Sequence, residues 1–276
     1  MESFEGNEVI EFIEGDIRNY ETCVSALINV DYVSHQAALG SVPRSIVNPI
    51  LTNEVNISGF LNMLVAVQNQ STVKKMVYAA SSSTYGDNET LPKIEGKEGK
   101  PISPYAVTKL VNELYAEVFS KVYGLNTIGL RYFNIFGPRQ NPDGPYAAVI
   151  PLFVKGIINK TPVYINGDGE QTRDFTFVEN AVQINVKGML TDNAVAFGKT
   201  YNVAIGERFT VNQLYKICQQ QLKSDFAATY RELRVGDIRD SLADISLAKD
   251  LLGYQPTKKF EDGLIETIKY FKNLYS

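Results

Sequence analysis

The chain predicts an α/β fold: a parallel sheet with helices packed on it, followed by a smaller C-terminal α/β unit. Three observations carry this. Short apolar runs alternate with longer segments of helical period, the pattern of β-strands joined by crossover helices. One such run, Met76-Val77-Tyr78-Ala79-Ala80, breaks into the polar cluster Ser81-Ser82-Ser83-Thr84-Tyr85-Gly86. That is the end of a strand, where α/β sheets place their chemistry. Beyond Gly137 the texture changes, and the Gly/Pro/Asn-rich stretch 138–146 divides residues 1–137 from 138–276.

The elements follow in order. Residues 8–13 read as a strand and end in Glu14-Gly15-Asp16-Ile17-Arg18. A helix is expected over 20–28 and a second strand over 30–33, running into His35-Gln36-Ala37-Ala38. Residues 55–68 carry Ile57, Phe60, Leu61, Leu64 and Val65 at helical spacing, and 74–80 form a third strand. Ser103 suits an N-cap and Pro104 the first position of a long helix, whose stripe runs Leu110, Val111, Leu114, Val118, Val122 and which Gly124 stops. A fourth strand spans 127–131. In the second unit, helices are expected over 149–159 and 178–190, with strand 163–166, the turn Gly167-Asp168-Gly169 and extended 173–177 between them. Strand 200–203 returns to the main sheet. Thr210 caps a helix reaching 222, and helices over 247–252, stopped by Gly253, and 260–274 close the chain.

Composition excludes several classes. The 276 residues are 44% hydrophobic and 21% charged, ordinary for one or two globular domains. A net charge of -4 gives nucleic acid or an anionic membrane no purchase. Cys23 and Cys218 lie far apart without metal spacing, which fits a reduced, cytoplasmic protein. His35 is the only histidine, so no multi-histidine metal site is expected, and its expected role is structural. No apolar run is expected to reach membrane-spanning length, and the first residues lack a signal-peptide core.

The chemistry centres on Ser103-Pro104-Tyr105-Ala106-Val107-Thr108-Lys109. Tyr105 and Lys109 are i and i+4 and share a helix face. An ammonium beside a phenol favours phenolate, so the Tyr105 pKa is expected to fall from about 10 toward neutrality, giving a usable proton-transfer group. A serine cluster followed by Tyr-x-x-x-Lys resembles the extended short-chain dehydrogenase/reductases, and more narrowly the nucleotide-sugar 4-epimerases acting on UDP-N-acetylglucosamine and UDP-N-acetylgalactosamine. The resemblance runs from about Val9 to the C-terminus. It implies a Rossmann-like sheet, bound NAD and a UDP-sugar substrate. It also implies a homodimer through the helices at 55–68 and 104–122.

One departure stands out. The family opens with a strand, a GxxGxxG turn and a helix, where backbone meets the pyrophosphate. No GxxGxxG occurs in these 276 residues. Measured against the resemblance, the chain begins at the third strand, without the phosphate loop or the acidic ribose contact, as a late start codon or a truncated gene would leave it. The strand at 30–33 is then an edge, and 9–13 is expected either to pair with it directly or to pack poorly.

The resemblance assigns the site residue by residue. Ser81, four before Tyr85, would bond the sugar 4-OH, with Ser82 the close alternative. Sugar-nucleotide dehydratases carry an Asp-Glu pair at the positions of Ser82 and Ser83, which argues against elimination chemistry here. On the NAD side, Asp16 and Ile17 would meet the adenine. Gln36, Ala37 and Ala38 would leave room for the dinucleotide beside Asn53, itself equally readable as a helix cap. Tyr105 and Lys109 would meet the nicotinamide ribose. On the sugar-nucleotide side, Asn134, in Arg131-Tyr132-Phe133-Asn134, would contact the diphosphate together with Arg173 and Arg234. Asp237 would hold the ribose. Tyr164, Asn166 and the backbone of Ala148-Val149 would flank the uridine, although a strand tyrosine is as readily structural. Gly40, Ser41, Gln140, Ala148 and Ser241 would line a roomy sugar pocket. Ser241 stands where many UDP-galactose epimerases have Tyr, which leaves volume for a 2-acetamido group; its alternative is a plain cap. The implied reaction is C4 epimerisation through a 4-keto sugar. The alternatives are the same reaction on UDP-glucose, another sugar-nucleotide oxidoreductase, and an inactive homologue that binds UDP or dimerises.

Overall fold

The structure is a computed structural model that describes residues 9–143, 147–232 and 239–275. Its elements are α1 (Tyr20–Ser25), β1 (Tyr32–His35), α2 (Val42–Val47), α3 (Pro49–Asn53), a π-helical stretch (Glu54–Gly59), α4 (Phe60–Gln68) and β2 (Lys75–Ser81). There follow a 3-10 turn (Ser82–Tyr85), α5 (Pro104–Tyr123), β3 (Thr127–Tyr132), β4 (Ile135–Phe136), α6 (Val149–Asn159), β5 (Tyr164–Asn166), β6 (Thr172–Arg173) and β7 (Thr176–Phe177). The chain closes with α7 (Val178–Leu190), β8 (Lys199–Val203), β9 (Phe209–Thr210), α8 (Val211–Leu222), β10 (Thr229–Arg231), α9 (Ser246–Leu252) and α10 (Phe260–Tyr275).

The main sheet is parallel, ordered β1-β2-β3-β8. Alternation on β2 sets its two faces. Met76, Tyr78 and Ala80 pack with Phe60 and Leu64 of α4 and Ala116 and Phe119 of α5. Val77 packs with Ile128, Leu130 and Ile184 of α7 on the other side. Gly129 is needed where the Tyr78 ring crosses β3, since an added Cβ would lie 2.5 Å from the phenol oxygen. A third core holds Phe136, Phe175 and Phe177 against α6, α8 and α10. Phe260 is its hub, with ring centroids 4.3 Å from Phe209, 5.1 Å from Phe175 and 5.6 Å from Phe136.

Helix ends behave as the residue types dictate. Ser103 Oγ accepts from the Ala106 N–H at 3.2 Å, Pro104 opens α5, and Gly124 ends it in the left-handed region at φ 70°. Thr210 and Gln213 form a reciprocal capping box on α8. Asn53 caps nothing; it ends α3 inside a continuous helical run, and Asn48 provides the cap by accepting from the Leu51 N–H. That run, Pro49–Gln68, is 20 residues long and apolar enough to span a membrane by length and composition, contrary to the expectation that no segment would be. Here it is a core helix, because Phe60, Leu64, Ala66 and Val67 are buried beneath α1 and α5.

Two expected strands change. Residues 9–13 form none, and Val9 and Phe12 are 92% and 65% exposed. A strand persists only where a ladder takes up its backbone groups, and no partner edge lies beside this stretch among the described residues. Firm packing starts at Ile17, whose carbonyl accepts from Asn62 Nδ2 at 3.0 Å. The strand expected from Val30 starts at Tyr32, because the Val30 N–H closes a turn onto Leu27. β1 is an edge of the sheet, paired among the described residues with β2 alone. Strand β8 does join the main sheet beside β3.

Phe260→Ala should lower unfolding free energy by about 3–5 kcal/mol, since it removes the ring on which three others pack. Urea titration of the two chains measures the difference.

Candidate active site

Ser81 ends β2, and the chain turns sharply into the 3-10 segment. Ser81 Oγ accepts from the Ser83 N–H at 3.2 Å and from the Ser83 hydroxyl at 2.9 Å. With both lone pairs engaged, its own proton is left for the neighbouring Tyr105 phenol, whose pKa Ser81 acts to lower. That direction favours phenolate. Tyr105 sits in the first turn of α5, half-buried over this serine. One turn on, Lys109 is buried, and its ammonium donates to the Ala79 carbonyl on β2 at 2.7 Å. The pair therefore faces the strand end that Ser81 occupies.

The expected fall in the Tyr105 pKa is overturned. Burial pushes the phenol above its ordinary value, and the Ser81 hydrogen bond only partly opposes this. The i, i+4 argument assumed the ammonium would serve the phenol, whereas the backbone of β2 takes it. Burial also lowers Lys109 to about 8, with the Glu113 carboxylate opposing. His35, packed edge-on against Phe60 at 5.4 Å, is held near 4 by burial and by the Lys109 charge, so it is neutral and structural at pH 7.

A second group converges from the C-terminal half. Asn134 adopts φ 39° and directs Nδ2 to the Asp174 carbonyl at 3.0 Å and to Ser241 Oγ at 3.4 Å. Ser241 Oγ also accepts from the Asp174 N–H at 3.3 Å. Its proton is therefore free to point elsewhere. Arg173 Nη1 donates to the carbonyls of Thr172 and Arg239, both at 2.8 Å, which holds the guanidinium beside this junction. Gln140 Nε2 donates to the Ile135 carbonyl, and its buried Oε1 has no partner among the described residues.

The remaining candidates are spread more widely. Asp16 is exposed and bound by Arg18 at 2.6 Å, so its carboxylate is spoken for within its own turn. Ile17 lies against Gly59. Gln36 reaches Tyr132 Oη and Asn185 across the sheet end. Ala37 and Ala38 lead into Leu39, where Asn56 clamps the loop by bonding the Leu39 N–H and C=O and the Thr108 hydroxyl. Asn53 is exposed. Gly40 is open, and Ser41 caps α2. Ala148 precedes α6 and Val149 opens it. Tyr164 carries the Arg231 guanidinium 3.3 Å from its ring centroid, and Asn166 accepts from Gln171 Nε2. Arg234 and Asp237 lie outside the described residues.

The residues fit a dinucleotide in part. The buried Lys109, Tyr105 and the small, clamped 36–39 loop suit a nicotinamide ribose. The carboxylate expected at the adenine is engaged by Arg18, and among the described residues no glycine-rich turn opens a helix after a strand. Sequence reasoning passed over Glu113 and Asp174. Glu113 was legible, since 105, 109 and 113 follow one face at i+4 spacing. Asp174 was not: its carboxylate accepts from the N–H groups of Ile205, Gly206 and Ala243, which only the fold gathers.

A family model described as GDP-mannose 4,6 dehydratase matches residues 2–267. The chain belongs to this family of extended short-chain dehydrogenase/reductases. Among its members, a putative UDP-glucose 4-epimerase of Methanocaldococcus jannaschii is 32% identical, over 97% of this chain and 86% of that protein. The solved UDP-N-acetylglucosamine 4-epimerase of Methanobrevibacter ruminantium, in complex with UDP-N-acetylmuramic acid, is 40% identical with a TM-score of 0.92, covering 98% of this chain and 85% of that one. The UDP-glucuronic acid 4-epimerase of Bacillus cereus, with UDP-glucuronic acid and NAD, is 30% identical with a TM-score of 0.91, covering 99% and 85%. The family is NAD-dependent.

The Lys109 shift has a sign in stability. A lysine whose folded pKa is depressed costs stability in full below about 8, and that cost fades as pH rises to its ordinary value, about 10.5. Lys109→Met removes that dependence. The stability deficit of wild type against the variant should shrink by about 3 kcal/mol between pH 8 and 10.5. Paired denaturant titrations across that range measure it.

Proposed function

We propose that the chain is a UDP-sugar 4-epimerase acting on the UDP-N-acetylglucosamine/UDP-N-acetylgalactosamine pair. The observation that carries it is Tyr105 opening α5 over Ser81 at a strand end, with buried Lys109 one turn beyond bonded to the same strand. Ser81 turns its proton from Tyr105 to the sugar 4-OH, and Tyr105, as phenolate, takes the proton of that hydroxyl. The Lys109 charge, with the nicotinamide charge when NAD is bound, favours the phenolate that Tyr105 must be for this step. Bound NAD supplies a hydride acceptor and donor for sugar C4. Asn134 and Arg173, with Arg234, anchor the diphosphate while the 4-keto sugar turns over to its other face. The acetamido preference is supported by Ser241: a small residue whose oxygen accepts two protein hydrogen bonds has a proton to give to an acetamido carbonyl. The division at Gly137 into a cofactor unit and a substrate unit belongs to this reading. So does a cytoplasmic setting, supported by two free, buried cysteines.

An enzyme of this kind interconverts the two acetylated UDP-sugars. Tyr105→Phe should cut the rate by about 10²–10⁴-fold, the usual worth of a general base. Ser241→Tyr should lose the acetylated pair and keep UDP-glucose. Equal wild-type rates on both pairs would remove the acetamido reading. A second reading is a chain that binds UDP but turns nothing over. Calorimetry with UDP and with NAD separates the two, since heat from UDP alone supports the second.

A homodimer through α5 is part of the proposal. Leu114, Val118 and Val122 form an exposed stripe on that helix, continued by Val107. Val118→Lys should convert a dimer to a monomer in sedimentation velocity. A wild-type chain that sediments as a monomer at micromolar concentration refutes it.

A further inference from the structure

Behind the Ser81 turn lies a charged cluster that the reaction as described leaves unused. Arg131, on β3, is buried. Its Nε and Nη2 donate to the two oxygens of Glu113 at 2.9 and 2.6 Å, a bidentate pair within the core. Its Nη1 pairs with Glu98, from the loop joining the serine turn to α5. Its guanidinium lies 4.9 Å from the Tyr85 ring centroid, at the end of that turn. The Thr84 hydroxyl is also hydrogen-bonded to Glu113. One guanidinium thus touches the strand, the loop, the turn and the helix that the site is made from.

Glu113 is one helical turn beyond Lys109, as Lys109 is beyond Tyr105. We infer that Glu113, held by Arg131, is a positioning residue for Lys109, fixing α5 on the end of β2 and setting the charge of the ammonium that serves Tyr105. The inference rests on the epimerase reading for its purpose, but its physical content concerns this chain alone.

Lys109 faces charge or titratable groups from every side. Glu113 and Tyr105 lie on its own helix, and His35 at the end of β1 feels its charge, while Tyr78 on β2 and Arg131 on β3 act on Glu113 and Glu98 in the loop pairs with Arg131. His35 is neutral above about pH 5 and Tyr78 is protonated throughout. Glu113, in its bidentate pair with Arg131, is the carboxylate opposing the desolvation of Lys109, and its effect is tempered by Arg131. Replacing Glu113 by Gln leaves the shape and removes the charge. Replacing it by Asp keeps the charge.

Carbon-13 NMR of the chain labelled at lysine Cε reads the Lys109 titration directly, with Lys109→Met assigning the signal. The wild-type midpoint is expected at about 8. Glu113→Gln should move it down by about one pH unit, and Glu113→Asp should return it to within about 0.3 of wild type. In the epimerase assay Glu113→Gln should lower kcat about tenfold with KM for the UDP-sugar unchanged, because the diphosphate anchors lie elsewhere. A folded Glu113→Gln chain with an unmoved midpoint overturns the inference, as does an Asp variant displaced as far as the Gln one. Should near-UV circular dichroism find Glu113→Gln unfolded, Glu113→Asp is read alone. It should hold the midpoint within about 0.3 of wild type, and a folded Asp variant displaced by about a full unit overturns the inference. If no UDP-sugar turns over, the NMR midpoint still decides this inference while the epimerase reading falls.

Discussion

A buried guanidinium cannot be left alone. Removing Arg131 from water costs several kcal/mol unless its donors are met, and two carboxylates and an aromatic face meet them here. Those partners come from α5, from the 86–102 loop and from the serine turn. The requirement to satisfy one side chain therefore brings together, in one arrangement, the segments that carry Ser81, Tyr105 and Lys109. Lys109 then completes the join by bonding the β2 backbone two residues before Ser81.

Asp174 does the corresponding work for the C-terminal half. Its carboxylate gathers three backbone N–H groups from two separate segments, 205–206 and 243. Its own main chain meets Asn134 and Ser241. Asn134 leaves the end of β3, so the junction ties the sheet to the segment carrying Ser241. The aromatic cluster around Phe260 supplies the bulk of apolar contact beneath it. The two halves of the site thus stand on one polar knot each, both buried and both well hydrogen-bonded.

Much of this was legible in the residues. The serine turn, the Ser103 cap, the Gly124 and Gly253 stops and the Thr210 capping box follow from local chemistry, and the structure has them all. The helix at 149–159 and the one at 178–190 fall at the expected residues. The misreadings share a cause. A strand at 9–13 has the right β-branched and aromatic residues but no neighbouring edge among the described residues. The helix at 55–68 extends back to Pro49 and contains a π-helical stretch, which periodicity does not reveal. The Tyr105 shift came out with the opposite sign because spacing along a helix says nothing about how deeply it is buried.

Sequence alone determined where the candidate residues fall: a serine at a strand end, a phenol and an ammonium on one helix face, and a small residue at 241. Those depend on covalent spacing and on the local rules of helices and turns. Tertiary structure alone decided their electrostatic state and their partners. Whether Lys109 faces the phenol or the Ala79 carbonyl, whether Asp16 stays free or meets Arg18, and which carboxylates surround Arg131 depend on contacts between segments distant in the chain. Desolvation and charge pairing act through space, and one-dimensional spacing does not encode them.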